Sequence, residues 1–234
     1  MMLSGVRVNC QNQDFQDQMK TKLLLFYGPG SGSGKSTLSR LIHDALQQEG
    51  VRTKYIAESD VLHLDAFAPY VEEVKQKNPG NIEVLLSSCE RFIEACNQSD
   101  HVYVVDSILP CTDWLVTAGC TGQQIRQFYT QLNRLMMQLN PIQIFLTGDT
   151  GIFLERAIMD RGENWARSLV QERCNSDDIR DLITYFNEMG KVASELLAEW
   201  PFTQIVLDTT KHDLPTCAEE ILRHLGLDES LHIE

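Results

Sequence analysis

The sequence predicts an α/β protein of three layers, with a central, mainly parallel five-stranded sheet and helices on both faces. Three observations lead there. Short apolar runs alternate with stretches of helical periodicity from residue 22 to residue 226. The first run, residues 22–27, contains Leu23-Leu24-Leu25-Phe26-Tyr27 without interruption, as expected of a strand buried on both faces of a parallel sheet. A chain of 234 residues with 43% apolar content can bury roughly 70–75 % of its unfolded surface in one domain. Strand and helix in alternation imply right-handed crossovers, which place helices on both sides of the sheet.

Each element has its own signal. After the first strand and a glycine-rich loop, Leu38, Leu41, Ile42, Ala45 and Leu46 share one helical face, and Gly50 stops that helix. Residues 51–57 read as a second strand and 82–96 as a helix presenting Val84, Leu85, Phe92 and Ile93 for packing. Residues 101–106 form a third strand ending in Asp106, 123–139 a helix, and 141–146 a fourth strand. A helix over 152–160 is followed by Arg161-Gly162-Glu163-Asn164-Trp165, which interrupts the pattern. Residues 177–200 read as a long amphipathic helix, 202–207 as a fifth strand and 217–225 as a closing helix. Residues 1–21 are polar, rich in Gln and Asn and without periodicity, and read as an N-terminal extension to a single domain over 22–234.

Composition narrows the partners. With 20 Lys+Arg against 33 Asp+Glu and a formal charge of −13, no general positive field gathers nucleic acid or an anionic membrane. No apolar run approaches the ~18–20 residues of a membrane helix, and the first twenty residues lack the apolar core of a secretory signal. Seven cysteines without a CxxC pair read as free thiols of a reducing compartment, so a cytoplasmic location is expected.

The loop after the first strand is Gly28-Pro29-Gly30-Ser31-Gly32-Ser33-Gly34-Lys35-Ser36-Thr37. Phosphates require converging backbone N–H groups, and glycines let the chain turn that tightly. The following helix adds the positive end of its dipole. Lys35 is placed to reach terminal phosphates and the Ser36 hydroxyl to hold Mg²⁺. This loop resembles the P-loop (Walker A) family, so the expected architecture is the three-layer P-loop NTPase fold, with Gly28, Gly30, Ser31, Gly32, Ser33, Gly34, Lys35, Ser36 and Thr37 at the nucleotide. The spacing departs from the family pattern. Gly28 lies seven positions before Lys35 and Pro29 six, so either the loop carries one extra residue or Pro29 replaces the first glycine.

Phosphoryl transfer also calls for a second metal ligand, cations on the developing charge and an oriented acceptor. Asp106, closing the third strand, is placed like a Walker B carboxylate, holding Mg²⁺ directly or through water. The stretch from Leu146-Thr147-Gly148-Asp149 to Leu154-Glu155-Arg156 and Asp160-Arg161-Gly162 is similar to the strand-to-lid segment of thymidylate kinases and deoxynucleoside kinases. That resemblance implies a lid around residues 161–176 in which Arg161 and Arg167 neutralise the transferring phosphoryl group while Arg156 supports the lid. With few apolar anchors visible there, the lid is expected to have low local stability. The acceptor base is expected just past the second strand, where Glu58, Asp60 and Asp65 are candidates and Asp60-Val61-Leu62 is favoured. Glu58 is followed by Ser59 rather than by the proline found in deoxynucleoside kinases. His63, Tyr70 and Trp114 are weaker candidates for contact with an acceptor, and Thr209-Thr210-Lys211 lies where related kinases enclose the adenine.

The expected activity is therefore transfer of the γ-phosphoryl group of Mg·ATP to a small-molecule acceptor, most naturally a nucleoside or nucleotide. A sugar, antibiotic or nucleotide-sugar acceptor, or a regulatory P-loop ATPase with no such acceptor, remains open. ATP and Mg²⁺ are the implied cofactors, the implied partner is the small acceptor rather than nucleic acid or membrane, and a homodimer is compatible with the sequence.

Overall fold

A computed structural model describes residues 20–76, 80–107, 115–116 and 118–227. The extension up to residue 19, Cys10, Cys111 and Trp114 lie outside the described residues. The main elements are β1 (Leu23–Tyr27), α1 (Lys35–Gln48), β2 (Thr53–Ile56), α2 (Ala68–Gln76), α3 (Ile82–Gln98), β3 (Val102–Asp106) and α4 (Gly122–Met136), followed by β4 (Ile142–Thr147), α5 (Thr150–Arg161), α6 (Glu163–Cys174), α7 (Asp181–Leu197), β5 (Thr203–Asp208) and α8 (Leu214–His224). The five strands form one sheet in the order β2-β3-β1-β4-β5, and every neighbouring pair is parallel.

Side-chain alternation along β1 divides the core into two layers. Leu23, Leu25 and Tyr27 pack with Phe92 of α3, Leu132 of α4 and Ala193 of α7 on one side. Leu24 and Phe26 pack with Leu38 and Ile42 of α1 and Ile221 of α8 on the other. Because β1 is central and fully buried, the loop leaving its carboxyl end emerges between the ends of β3 and β4. That is where ligands bind in open parallel sheets.

Two helices depart from the sequence-based reading. Ala68–Gln76 is helical, with Pro69 in its first turn, where the missing N–H costs nothing. Residues 163–174, where the sequence reading has an interruption over 161–165 within a lid over 161–176, form α6. Gly162, at φ 86° and ψ 161°, separates α5 from α6. The expectation of few apolar anchors in this segment is also corrected. Ala166 and Val170 are fully buried in a third small core with Leu154 of α5 and Leu182 and Phe186 of α7. Helix α7 is shorter than the 177–200 expected, and the last turn after α4 is a 3₁₀ turn over Met137–Leu139. No helix among the described residues is long and apolar enough to cross a membrane, and Cys89, Cys96, Cys120, Cys174 and Cys217 are free thiols.

Candidate functional site

The glycine-rich loop is shaped by close approach. Gly32, at φ +83°, has the Phe153 carbonyl oxygen only 1.9 Å from where a Cβ would stand, and a Cβ at Gly30 would meet the Phe186 ring at 2.6 Å. Gly28 lies against β4, where a Cβ would stand 2.9 Å from the Leu146 carbonyl oxygen. The close-packed glycine at the exit from β1 is therefore Gly28, while Pro29 packs beside Gly190 of α7. This geometry favours one extra residue in the loop over replacement of its first glycine.

The Lys35 ammonium donates to the carbonyls of Gly28 at 3.1 Å and Gly30 at 2.7 Å and to Ser33 Oγ at 3.2 Å. The lysine thus folds back along its own loop. The loop is also tied to the far end of the sheet, since Thr209 Oγ1 donates to the Ser33 carbonyl at 2.9 Å. Arg156 reaches the same segment by donating to the Thr209 carbonyl at 3.0 Å. Helices α3, α4, α5 and α8 are capped by Asn81, Thr121, Asp149 and Asp213. Helix α1 instead starts at Gly34 with no side-chain cap and no acidic residue in its first turn. Helices α6 and α7 likewise lack a side-chain cap; the leading N–H groups and dipole of α1 have the chemistry to bind an anion.

Ser36 Oγ donates to Asp106 Oδ2 at 2.5 Å, and Ser107 Oγ donates to Asp106 Oδ1 at 2.9 Å. Asp106 is 2% exposed and stands at the carboxyl end of β3. Hydroxyl and carboxylate together are a pair of hard oxygen donors that suits Mg²⁺. Among the described residues no group of three or more His, Cys, Asp or Glu side chains could hold a metal, so water and phosphate oxygens would complete the shell, as Mg²⁺ commonly requires.

In front of the loop lies a cavity of about 220 Å³. It is lined by the end of β1 and its loop, from Tyr27 to Lys35, by Glu58 and Ser107, and by residues of α5, α6 and α7, among them Arg161, Trp165 and Arg173. The Arg161 guanidinium stands 5.1 Å over the Trp165 ring and donates to Ser31 Oγ at 3.4 Å. Three cationic side chains, Lys35, Arg161 and Arg173, and one carboxylate, Glu58, therefore face one space.

The sequence-predicted residues sort accordingly. Arg167 does not line the cavity but pairs with Glu163 at 2.5 Å on the outer face of α6, because position 167 lies on the opposite side of that helix from Trp165, Leu169 and Arg173. The place expected of Arg167 is taken by Arg173. Asp60, the favoured base, also lies off the cavity and accepts from the Ala57 N–H at 2.9 Å as a turn cap. Asp65 opens a 3₁₀ turn over Asp65–Phe67, next to the 3₁₀ turn over Glu58–His63 that carries Glu58 and Asp60, and His63 is exposed; neither Asp65 nor His63 lines the cavity. Tyr70 belongs to the core, 9% exposed. Thr37 is exposed in the first turn of α1 and is not among the cavity-lining side chains.

The chain is similar to the YorR protein of Bacillus subtilis, solved in complex with phosphorylated GDP, with a TM-score of 0.53 and 16% identity over 90% of this chain and 99% of that chain. The shared fold is an α/β one, a five-stranded parallel sheet with helices on both faces. No family model and no curated protein matches it. The candidate P-loop site thus sits at the position in the fold where its glycines, Lys35, Ser36 and Asp106 converge, at the carboxyl ends of β1 and β3.

Proposed function

We propose that this protein is an ATP-dependent phosphotransferase that moves the γ-phosphoryl group of Mg·ATP to a small-molecule acceptor, a nucleoside or nucleotide. The observation that carries this reading is the cavity at the glycine-rich loop that Lys35, Arg161, Arg173 and Glu58 all line. Three cations match the charge spread over a transferring phosphoryl group, and a carboxylate in the same cavity matches an acceptor hydroxyl. YorR, a protein of similar fold, is described with phosphorylated GDP bound, which supports a nucleotide as one ligand.

In this reading the P-loop amides and the α1 N-terminus hold the β- and γ-phosphates, and Lys35 exchanges its loop carbonyls for phosphate oxygens. Ser36 and Asp106 would hold Mg²⁺. When bound, the metal neutralises phosphate charge and orients the phosphate oxygens. Arg161 and Arg173 cover the transferring group and, with Trp165, keep water from it. Glu58 orients the acceptor hydroxyl and takes its proton as the new P–O bond forms and the bond to ADP breaks.

The test is ADP formation from ATP, and in parallel GDP formation from GTP, with and without a panel of nucleosides, nucleoside monophosphates and sugars. A phosphotransferase accelerates at least about tenfold with one acceptor. Nucleotide hydrolysis at one rate regardless of acceptor would point to a regulatory ATPase instead.

A further inference from the structure

A second cavity, of about 560 Å³, lies beside α4 and the C-terminal end of α7. Lining residues Asn140, Pro201 and Phe202 precede β4 and β5, so this groove is at the amino ends of the strands, opposite the P-loop. Arg126, Asn133 and Arg134 of α4 form one wall with Met137, facing Leu196 and Phe202. From Arg126 to Arg134 the helix rises about 12 Å.

Several features leave this groove incomplete. Asn133 Oδ1, on its wall, is buried without a hydrogen-bond partner among the described residues. A buried polar atom left unpaired is costly. Met137 is 68% exposed. Arg126 and Arg134 carry positive charge into the groove of a chain with a net charge of −13, and among the described residues that line it Glu199 is the one carboxylate.

The chain itself arrives at one end of the groove. The Lys22 N–H donates to the Leu139 carbonyl at 2.9 Å, between the lining residues Met137 and Asn140, and Thr21 is buried. Residues 1–19, outside the described residues, are thereby tethered to this end. Their last stretch is Asp14-Phe15-Gln16-Asp17-Gln18-Met19: two carboxylates, two amides able to donate to the orphaned Asn133 oxygen, and two large apolar side chains. Six extended residues cover about 20 Å, enough to pass both arginines.

We propose that residues 14–19 of this chain dock in the groove between α4 and the end of α7, with Asp14 and Asp17 answering Arg126 and Arg134. A tether of so few residues gives a local concentration on the order of millimolar, so modest contacts suffice.

The experiment is amide hydrogen exchange on the full chain, read in residues 14–19 and 126–140. In the native protein, residues 14–19 exchange at least about tenfold more slowly than in urea. The variants D14K/D17K and R126E/R134E each lose that protection, and the four-fold variant D14K/D17K/R126E/R134E regains it. Exchange in β1 reports whether each variant remains folded, and raised salt, which weakens the same pairs, repeats the test on the native sequence. Native residues 14–19 exchanging at the urea rate, or protection that neither reversal nor salt alters, overturns the proposal. Protection that vanishes on dilution assigns the groove to a second copy of the chain and overturns it as well.

Discussion

Ser36 and Asp106 are 70 positions apart in the chain, and the hydroxyl of the first donates to the carboxylate of the second at 2.5 Å. Sheet register brings them together. Asp106 pairs with Phe26 across β3 and β1, so the carboxylate ends level with the strand whose loop returns at Ser36. With Ser107 on its other oxygen, Asp106 is held by two donors beside the glycine-rich loop.

Asp106→Asn keeps the shape of that arrangement and removes its charge. The Mg²⁺ concentration for half-maximal activity should rise at least about tenfold, while metal-free nucleotide affinity changes less than about threefold. A magnesium titration of both proteins reads this directly. Identical titrations would make Asp106 a strand-end residue with no part in metal binding.

The two arginines of α6 should separate cleanly. Arg173→Ala removes a cation from the cavity lining and, on the proposed mechanism, should lower kcat about 10- to 100-fold with a smaller change in KM. Arg167→Ala breaks only an exposed pair with Glu163 and should leave kcat within about twofold. Equal losses in the two variants, or loss only in the second, would reject the orientation of the lid helix.

Gly32 and Gly162 both have positive φ, but only the first is crowded. Gly32→Ala sets a Cβ against the Phe153 carbonyl and should cost at least about 4 kcal/mol, the backbone strain being only part of that. At roughly 2–4 °C per kcal/mol for a domain of this size, Tm falls by about 8 °C or more. Gly162→Ala meets nothing within 4 Å and should cost roughly 1–2 kcal/mol, from its backbone conformation alone. Thermal melts showing the two variants equally stable would contradict the loop geometry.

His43, on α1, has its pKa pushed below the ordinary 6.5 by burial, with nearby Asp44 opposing the shift and Arg40 adding to it. Well above that ordinary value the group is neutral in both folded and unfolded chains and contributes nothing to pH dependence. As pH falls through 6.5 the unfolded chain takes up the proton first, so stability drops, and the loss is complete below the folded-state pKa. His43→Gln should therefore lose less stability between about pH 7.5 and about pH 5 than the native protein. Parallel pH profiles of Tm would show that His43 protonates equally well in the fold.

What can be read from the sequence follows from how local each signal is. The strand at Leu23–Tyr27, the glycine loop and the stripe from Leu38 to Leu46 are contiguous, and a buried parallel strand and an amphipathic helix each print their period in adjacent residues. Asp106 is legible for the same reason, as the carboxylate ending an apolar run. Helix α6 escapes a reading by composition because Glu163, Asn164 and Arg167 dominate it, although Trp165, Ala166, Leu169 and Val170 recur at helical spacing and could reveal it. The choice of Glu58 over Asp60 and of Arg173 over Arg167 has no local signal. It depends on which way a short 3₁₀ turn and one helix face are rotated, and for the helix that is set by packing against Leu154, Leu182 and Phe186.

The central claim is transfer from nucleotide to acceptor at the glycine-rich loop, and the most direct measurement is movement of label from γ-³²P-ATP into an acceptor, by the native protein and by Lys35→Ala. Native protein should place label in a nucleoside or nucleotide acceptor. The alanine variant, still folded by its melting curve, should do so at least about 100-fold more slowly, having lost the point charge on the terminal phosphates. Label appearing only as free phosphate, or equal transfer by the two proteins, would contradict the account.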